Sequence, residues 1–130
     1  MFMKKKKPAL RDPALRVTLL PRDTNAAGTI FGGVILSLID LAGGIEAHKH
    51  GNKRFVTVAM KEVVFKRPVY VGDLVSCYTR TMKVGRTSVR VRVDVEVRRG
   101  TDPSLHELVT HAEIVYVAVD TDWNPISVRD

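Results

Sequence analysis

Asp40 is a lone carboxylate in an otherwise apolar run, Val34-Ile35-Leu36-Ser37-Leu38-Ile39-Asp40-Leu41-Ala42-Gly43-Gly44-Ile45. Burying an unpaired carboxylate among such side chains costs on the order of several kcal/mol, so it is rarely kept for stability. In a cleft it can act as a general base on water or as a nucleophile. It can also be a buried structural acceptor that caps a partner helix. Just upstream lies a polar loop, Asp23-Thr24-Asn25-Ala26-Ala27-Gly28-Thr29-Ile30-Phe31-Gly32-Gly33. If a helix starts at Gly32-Gly33, its first N–H groups lack intrahelical partners and sit at the positive end of the helix dipole. They can hold an anion, or the oxyanion that forms when water attacks a carbonyl. The glycine pair alone is equally compatible with a mere tight loop. Asn25 can orient a water, polarise a carbonyl, or close a plain Asx turn, and Asp23 suits a turn or cap.

Spacing restricts how these groups combine. Asp40 follows Gly32 by eight residues, which is about 12 Å along a helix axis. One helix therefore cannot bring its own N-terminus and its own Asp40 to the same carbonyl. Two antiparallel helices from two copies of the chain can, each N-terminus meeting the other copy's aspartate. The spacing predicts a composite site in a dimer.

The elements that must position these groups follow from periodicity. The run after Gly32 is apolar on every side, as a buried helix would be, and Gly51-Asn52 stops it near His50. Leu15–Leu20 is a short strand ended by Pro21. Downstream the chain reads as strands over Phe55–Arg67, Leu74–Val84, Thr87–Arg98 and Glu107–Val119. The third of these alternates, with Val89, Val91, Val93, Val95 and Val97 on one face. The later half of the last strand is apolar on both faces, as in a central strand. Gly100–Ser104 is a loop and Asp120–Pro125 a turn containing Trp123. A single helix hidden on all sides requires a curved antiparallel sheet wrapped around it, with Ala42, Gly43 and Gly44 permitting close backbone approach. This α+β arrangement of one long helix and about five strands leaves a long edge strand, and edges of that kind are usually paired in a dimer.

Composition narrows the class. The chain has 130 residues, 45% of them hydrophobic, which suits one domain over residues 1–130 with a basic, flexible tail over 1–8. A net charge of +7 favours an anionic partner. Cys77 is the only cysteine, and no apolar core of signal-peptide length follows the lysine run, so a cytoplasmic location is expected. Cys77 reads as a packed strand residue. His48 and His50 flank the helix end at a spacing unsuited to one-face metal binding, and His106 and His111 stand apart on a strand, so no metal is expected.

The loop Asp23–Gly33, followed by Asp40 and Gly43-Gly44, resembles the signature of the hotdog-fold acyl-CoA thioesterases of the YciA and brain acyl-CoA hydrolase type. Phe65-Lys66-Arg67-Pro68-Val69-Tyr70-Val71-Gly72-Asp73 and Val84-Gly85-Arg86-Thr87-Ser88-Val89 are similar to the same family, and the likeness runs from Leu15 to Asp122. The resemblance implies a hotdog fold and hydrolysis of acyl-CoA thioesters to free acid and CoA, with no metal or organic cofactor beyond the CoA of the substrate. It implies catalysis by Asn25 of one subunit and Asp40 of the other, with Gly32 and Gly33 as the oxyanion site. It also implies a trimer of dimers, and a CoA groove lined by Thr57, Val58, Arg67, Pro68, Lys83, Gly85, Arg86, Thr87 and Ser88. Arg67, Lys83 and Arg86 suit phosphates by charge, although each also fits a solvated strand face.

Other readings are weaker on the residues. A non-catalytic acyl-CoA sensor on this fold needs a DNA-binding element for which the chain has no spare helix, and it has no reason to keep both Asn25 and Asp40. A nucleic-acid binder rests on charge alone, without a stacking platform or recognition helix. A dehydratase would want a histidine in the loop or at the helix start, and none stands there. No membrane partner is expected, because the apolar run is too short to span a bilayer and carries an acid.

Overall fold

The computed structural model describes residues 11–100, 104 and 106–129. The basic tail over 1–8, with most of the Gly100–Ser104 loop, lies outside the described residues. The elements run β1 (Leu15–Thr18), α1 (Gly32–Ala47), β2 (Arg54–Phe65), β3 (Leu74–Val84), β4 (Ser88–Arg98) and β5 (His106–Val119). A short 3₁₀ turn over His48–His50 continues α1 to Gly51, where the sequence stops it. The five strands form one antiparallel sheet in the order β1-β3-β4-β5-β2.

The alternation read in β4 holds. Val89, Val91, Val93, Val95 and Val97 are all buried, and β4 is the central strand. β5 lies between β4 and β2, so both its edges are paired. Extra residues in β2, β3 and β5 interrupt the ladders, and such bulges bend and twist a sheet. The curved sheet receives α1 through Ile35, Ile39, Ala42, Gly43, Glu46 and Ala47. β2 is two residues shorter at its C-terminal end than expected, because Lys66 and Arg67 leave the ladder, both backbone N–H groups donating to the Val109 carbonyl.

One expectation is corrected. α1 is not covered on all sides: Leu41 is 61% exposed and Ile45 46% exposed, on the face turned away from the sheet. The sheet of one chain reaches around only one side of the helix. The outer face of the helix is therefore apolar and uncovered in the single chain. Trp123 lies in the turn that follows β5. It sits exposed in a turn at positive φ, with the Arg54 guanidinium 5.1 Å from its ring centroid.

The C-terminal end of α1 is tied down by a buried acid. Glu46 accepts hydrogen bonds from the hydroxyls of Thr79 (2.9 Å) and Thr81 (2.7 Å) and pairs with Lys49 (3.0 Å). The Thr81 proton goes to Glu46, so Thr81 accepts from Nε2 of His50 at 2.7 Å. Burial pushes the Glu46 carboxyl up, but the bonds from Thr81, Lys49 and Thr79 together outweigh it and hold the group below its ordinary value of 4.5. A carboxyl lowered on folding contributes stability that is full above the unfolded value and is lost as pH falls through the folded one. Thermal melts of wild type and Thr81→Val should therefore differ by about 1–2 kcal/mol at neutral pH, and the gap should close as pH is taken below 4.5.

Candidate active site

Asp40 emerges from α1 at the level where β2 and β5 place Thr57 opposite Tyr116. The Thr57 hydroxyl donates to Asp40 Oδ1 at 2.7 Å. The Tyr116 hydroxyl donates to the backbone carbonyl of Asp40 at 2.8 Å and stands 3.2 Å from the same Oδ1. Both residues face the helix, one from the open edge of the sheet and one from its interior. Tyr116 is buried, and burial, followed by the Asp40 charge and its hydrogen bond, holds the phenol protonated far above its ordinary value. The group is thus a fixed neutral donor. Asp40 itself is half-buried and reachable from solvent.

The phenol reaches this position only because residue 43 is glycine. A Cβ there would lie 2.2 Å from the Tyr116 hydroxyl oxygen and 3.0 Å from two ring carbons. Beside Thr57, β2 carries an extra residue: Thr57 pairs with Tyr116 and Ala59 with Val115, leaving Val58 unpaired and exposed. The bulge puts a free stretch of edge next to Asp40.

The other end of α1 holds the second group of candidates. No hydrogen bond among the described residues takes up the N–H groups of Gly32 or Gly33, and the cap at Phe31 supplies no side-chain acceptor. Gly32 lines a cleft of about 240 Å³ together with Ile30, Ile35, Thr110 and the segment Phe65–Val69, and Gly33 follows it outside that lining. The Thr110 hydroxyl is buried in this lining and has no partner among the described residues. Arg67 and Pro68 belong to the same wall. The exposed Arg67 guanidinium stands 3.8 Å from Glu107, and the Pro68 carbonyl accepts from Arg99 at 2.6 Å.

Asn25 is engaged within its own loop. Its Oδ1 accepts from the backbone N–H of Ala27 (2.9 Å) and Thr29 (3.1 Å), and its Nδ2 donates to the Thr29 hydroxyl at 2.9 Å. This is the Asx-turn arrangement, which leaves one amide proton of Nδ2 over. Asp23 caps the preceding turn, accepting from the Leu20 N–H at 2.9 Å.

Gly32 packs near Phe65, and Phe65 pairs with Thr110. Asp40 sits at Thr57 and Tyr116. The two levels are six β5 residues apart, and along α1 Gly32 and Asp40 stand about 12 Å from each other. The candidates thus fall into two half-sites. Asp40, Thr57, Val58 and the Gly85–Ser88 turn lie at one end, since Ser88 pairs with Val117 beside Tyr116. Asn25, Gly32, Gly33, Arg67 and Pro68 lie at the other. Lys83 is on the outer face opposite Arg90, away from both.

Two features escaped the sequence. Tyr116 carries no signal inside the run Ile114-Val115-Tyr116-Val117-Ala118. The C-terminal segment straps the Gly85–Ser88 turn, Val128 N–H donating to the Arg86 carbonyl at 2.8 Å and Ala118 N–H to that of Thr87 at 2.9 Å. Cys77 is buried, its thiol pushed up to about 12 by burial, as befits a packing residue. Among the described residues no three His, Cys, Asp or Glu side chains gather as a metal site, and no helix is long and apolar enough to cross a membrane.

A family model described as the thioesterase superfamily matches residues 27–104, more than half of the sequence. The chain belongs to the thioesterase superfamily. This thioesterase-superfamily chain is 42% identical over 113 residues to the acyl-CoA thioester hydrolase YciA of Salmonella typhimurium, covering 85% of each chain. A hexameric hotdog-fold thioesterase of Campylobacter jejuni superposes with a TM-score of 0.81 at 45% identity, over 92% of this chain and 93% of that one. A hexameric thioesterase of Yersinia pestis gives 0.85 at 36% identity, over 92% and 97%. The fold is the hotdog fold.

Gly43→Ala should force Tyr116 off Asp40 and lower stability by about 1–3 kcal/mol, the usual penalty for an added methylene in a filled contact. Calorimetry of the variant beside wild type checks it; an unchanged melting temperature would mean that the phenol yields freely.

Proposed function

We propose that this chain is an acyl-CoA thioesterase whose active site is shared between two copies. The observation that carries the reading is the split just described: an exposed edge holds a positioned carboxylate, and the start of the same helix, about 12 Å away along its axis, holds free amides. Neither half is sufficient for thioester hydrolysis. Joined across a two-fold axis, the two ends of neighbouring helices supply all the parts at two equivalent sites.

In this mechanism Asp40 of one subunit takes a proton from water as the water oxygen attacks the thioester carbon. The carbonyl oxygen gains the negative charge and is held by the N–H groups of Gly32 and Gly33 of the other subunit, with the spare proton of Asn25 Nδ2. The intermediate collapses, the carbon–sulfur bond breaks, and the proton on Asp40 passes to the departing CoA sulfur. Products are the free acid and CoA. The Gly85–Ser88 turn with Arg86 flanks the Asp40 half-site and Arg67 the amide half-site, and both fit the phosphates of CoA by charge. Lys83 is a poorer candidate because it faces the outer side of the sheet.

The dimer forms through the free edge of β2 and the apolar face of Leu41 and Ile45, both left uncovered in one chain. Hexameric relatives support further assembly into a trimer of dimers. A single buried thiol suits a reducing compartment such as the cytoplasm.

CoA release from a panel of acyl-CoAs should be readily measured for wild type and should drop by about a hundredfold or more in Asp40→Asn. Binding without turnover would instead favour a sensor. Asn25→Ala and Asp40→Asn should each be nearly inactive alone. Unfolded together and refolded as a mixture, they should recover about a quarter of wild-type activity, because half the dimers are mixed and each mixed dimer holds one intact site. No recovery would place both residues in one subunit's site.

A further inference from the structure

Asp40 has two oxygens, and the fold treats them differently. Oδ1 takes the Thr57 hydroxyl at 2.7 Å and faces the Tyr116 hydroxyl at 3.2 Å. Oδ2 has no hydrogen-bond partner among the described residues. The Tyr116 proton also reaches the backbone carbonyl of Asp40 at 2.8 Å, so one phenol grips both the helix turn and the side chain that it carries. A carboxylate held at one oxygen cannot spin about its terminal bond, and its second oxygen keeps a constant direction.

We infer that Tyr116 is a positioning residue: from the slot opened by Gly43 it fixes the Asp40 carboxylate so that Oδ2 is the oxygen presented to the reacting water. This rests on the thioesterase reading above and adds the residue that sets the geometry of its base. Tyr116 does not touch substrate, because it is buried beneath α1. It acts through Asp40. The glycine belongs to the same device. A methyl at residue 43 would occupy nearly the volume that the phenol oxygen fills, since the two would lie 2.2 Å apart.

That near-coincidence supplies the test. Tyr116→Phe removes the hydroxyl and leaves a gap; Gly43→Ala/Tyr116→Phe puts a methyl group there, still 3.0 Å from two ring carbons, and restores no donor. With a hydrolysed acyl-CoA as substrate, Tyr116→Phe should lower kcat by about tenfold or more while KM stays within about twofold, as loss of orientation without loss of binding requires. The double variant should keep the lowered kcat, because the methyl group supplies no donor to Asp40. Added to Asp40→Asn, Tyr116→Phe should cause no further loss, because it works only through that carboxylate. Wild-type kcat in Tyr116→Phe, or recovery of kcat in the double variant, would overturn the inference and reduce Tyr116 to packing. If Tyr116→Phe fails to fold, Gly43→Ala alone decides, since its methyl drives the hydroxyl off Asp40: kcat should fall at near-constant KM, and wild-type kcat would overturn the inference. Failure of the thioesterase reading shows separately, as absent turnover in wild type or full turnover in Asp40→Asn.

Discussion

Everything functional here depends on how closely α1 can approach β5. At Gly43 the helix backbone and the Tyr116 ring come so near that no side-chain atom fits between them. Close packing of this kind is worth little in dispersion for any one atom pair, but it fixes position. The contact sets the height of the helix above the sheet, and with it the reach from the phenol to Asp40. It also explains why a helix former as poor as glycine stands in mid-helix, where it costs about 1 kcal/mol in propensity. The cost is met by what the missing Cβ allows.

Two carboxylates on the same helix show how environment separates structure from chemistry. Glu46 and Asp40 are six residues apart and both meet hydroxyls projecting from the sheet. Glu46 has partners on both oxygens and lies buried, so its lone pairs are committed. Asp40 is held on one oxygen and open on the other, beside an exposed edge strand. The first arrangement makes a clasp, and the second leaves one oxygen uncommitted. Residue type does not distinguish them; the number of satisfied lone pairs does.

Much of this was legible before any coordinates. The valine alternation of β4 announced a sheet with one buried face, and eight helical residues already separated Asp40 from Gly32. Asp40 stood out because a carboxylate among Leu and Ile demands a reason. Tyr116 gave no such warning: in an apolar strand a tyrosine looks like core, and only the third dimension reveals what its hydroxyl meets. The partner of Thr57 was hidden for the same reason, and a residue read as groove lining turned out to hold Asp40. Asn25 was read as either a reacting amide or a turn. Its hydrogen bonds within the loop show that most of its valences serve the turn, with one proton left for other use. The uncovered face of Leu41 and Ile45 could not be anticipated from composition, since an all-round apolar helix reads the same whether its cover comes from its own chain or another.

β2 carries two more residues than the stretch of β5 that it lines, one surplus at Val58 and another near Glu62, which stands at positive φ. Surplus length in a strand has to bow out of line. A straight, hydrophobic border would accept almost any extended peptide, with aggregation as the hazard. A bowed border admits only a mate whose bends fall at matching places. A second β2 running antiparallel across a two-fold axis meets that condition only where the axis passes midway between the two bends, so that Val58 of one strand lies opposite Glu62 of the other. The same irregularities that curve the sheet around its helix thus act as a gatekeeper on the exposed border, turning away straight extended peptides.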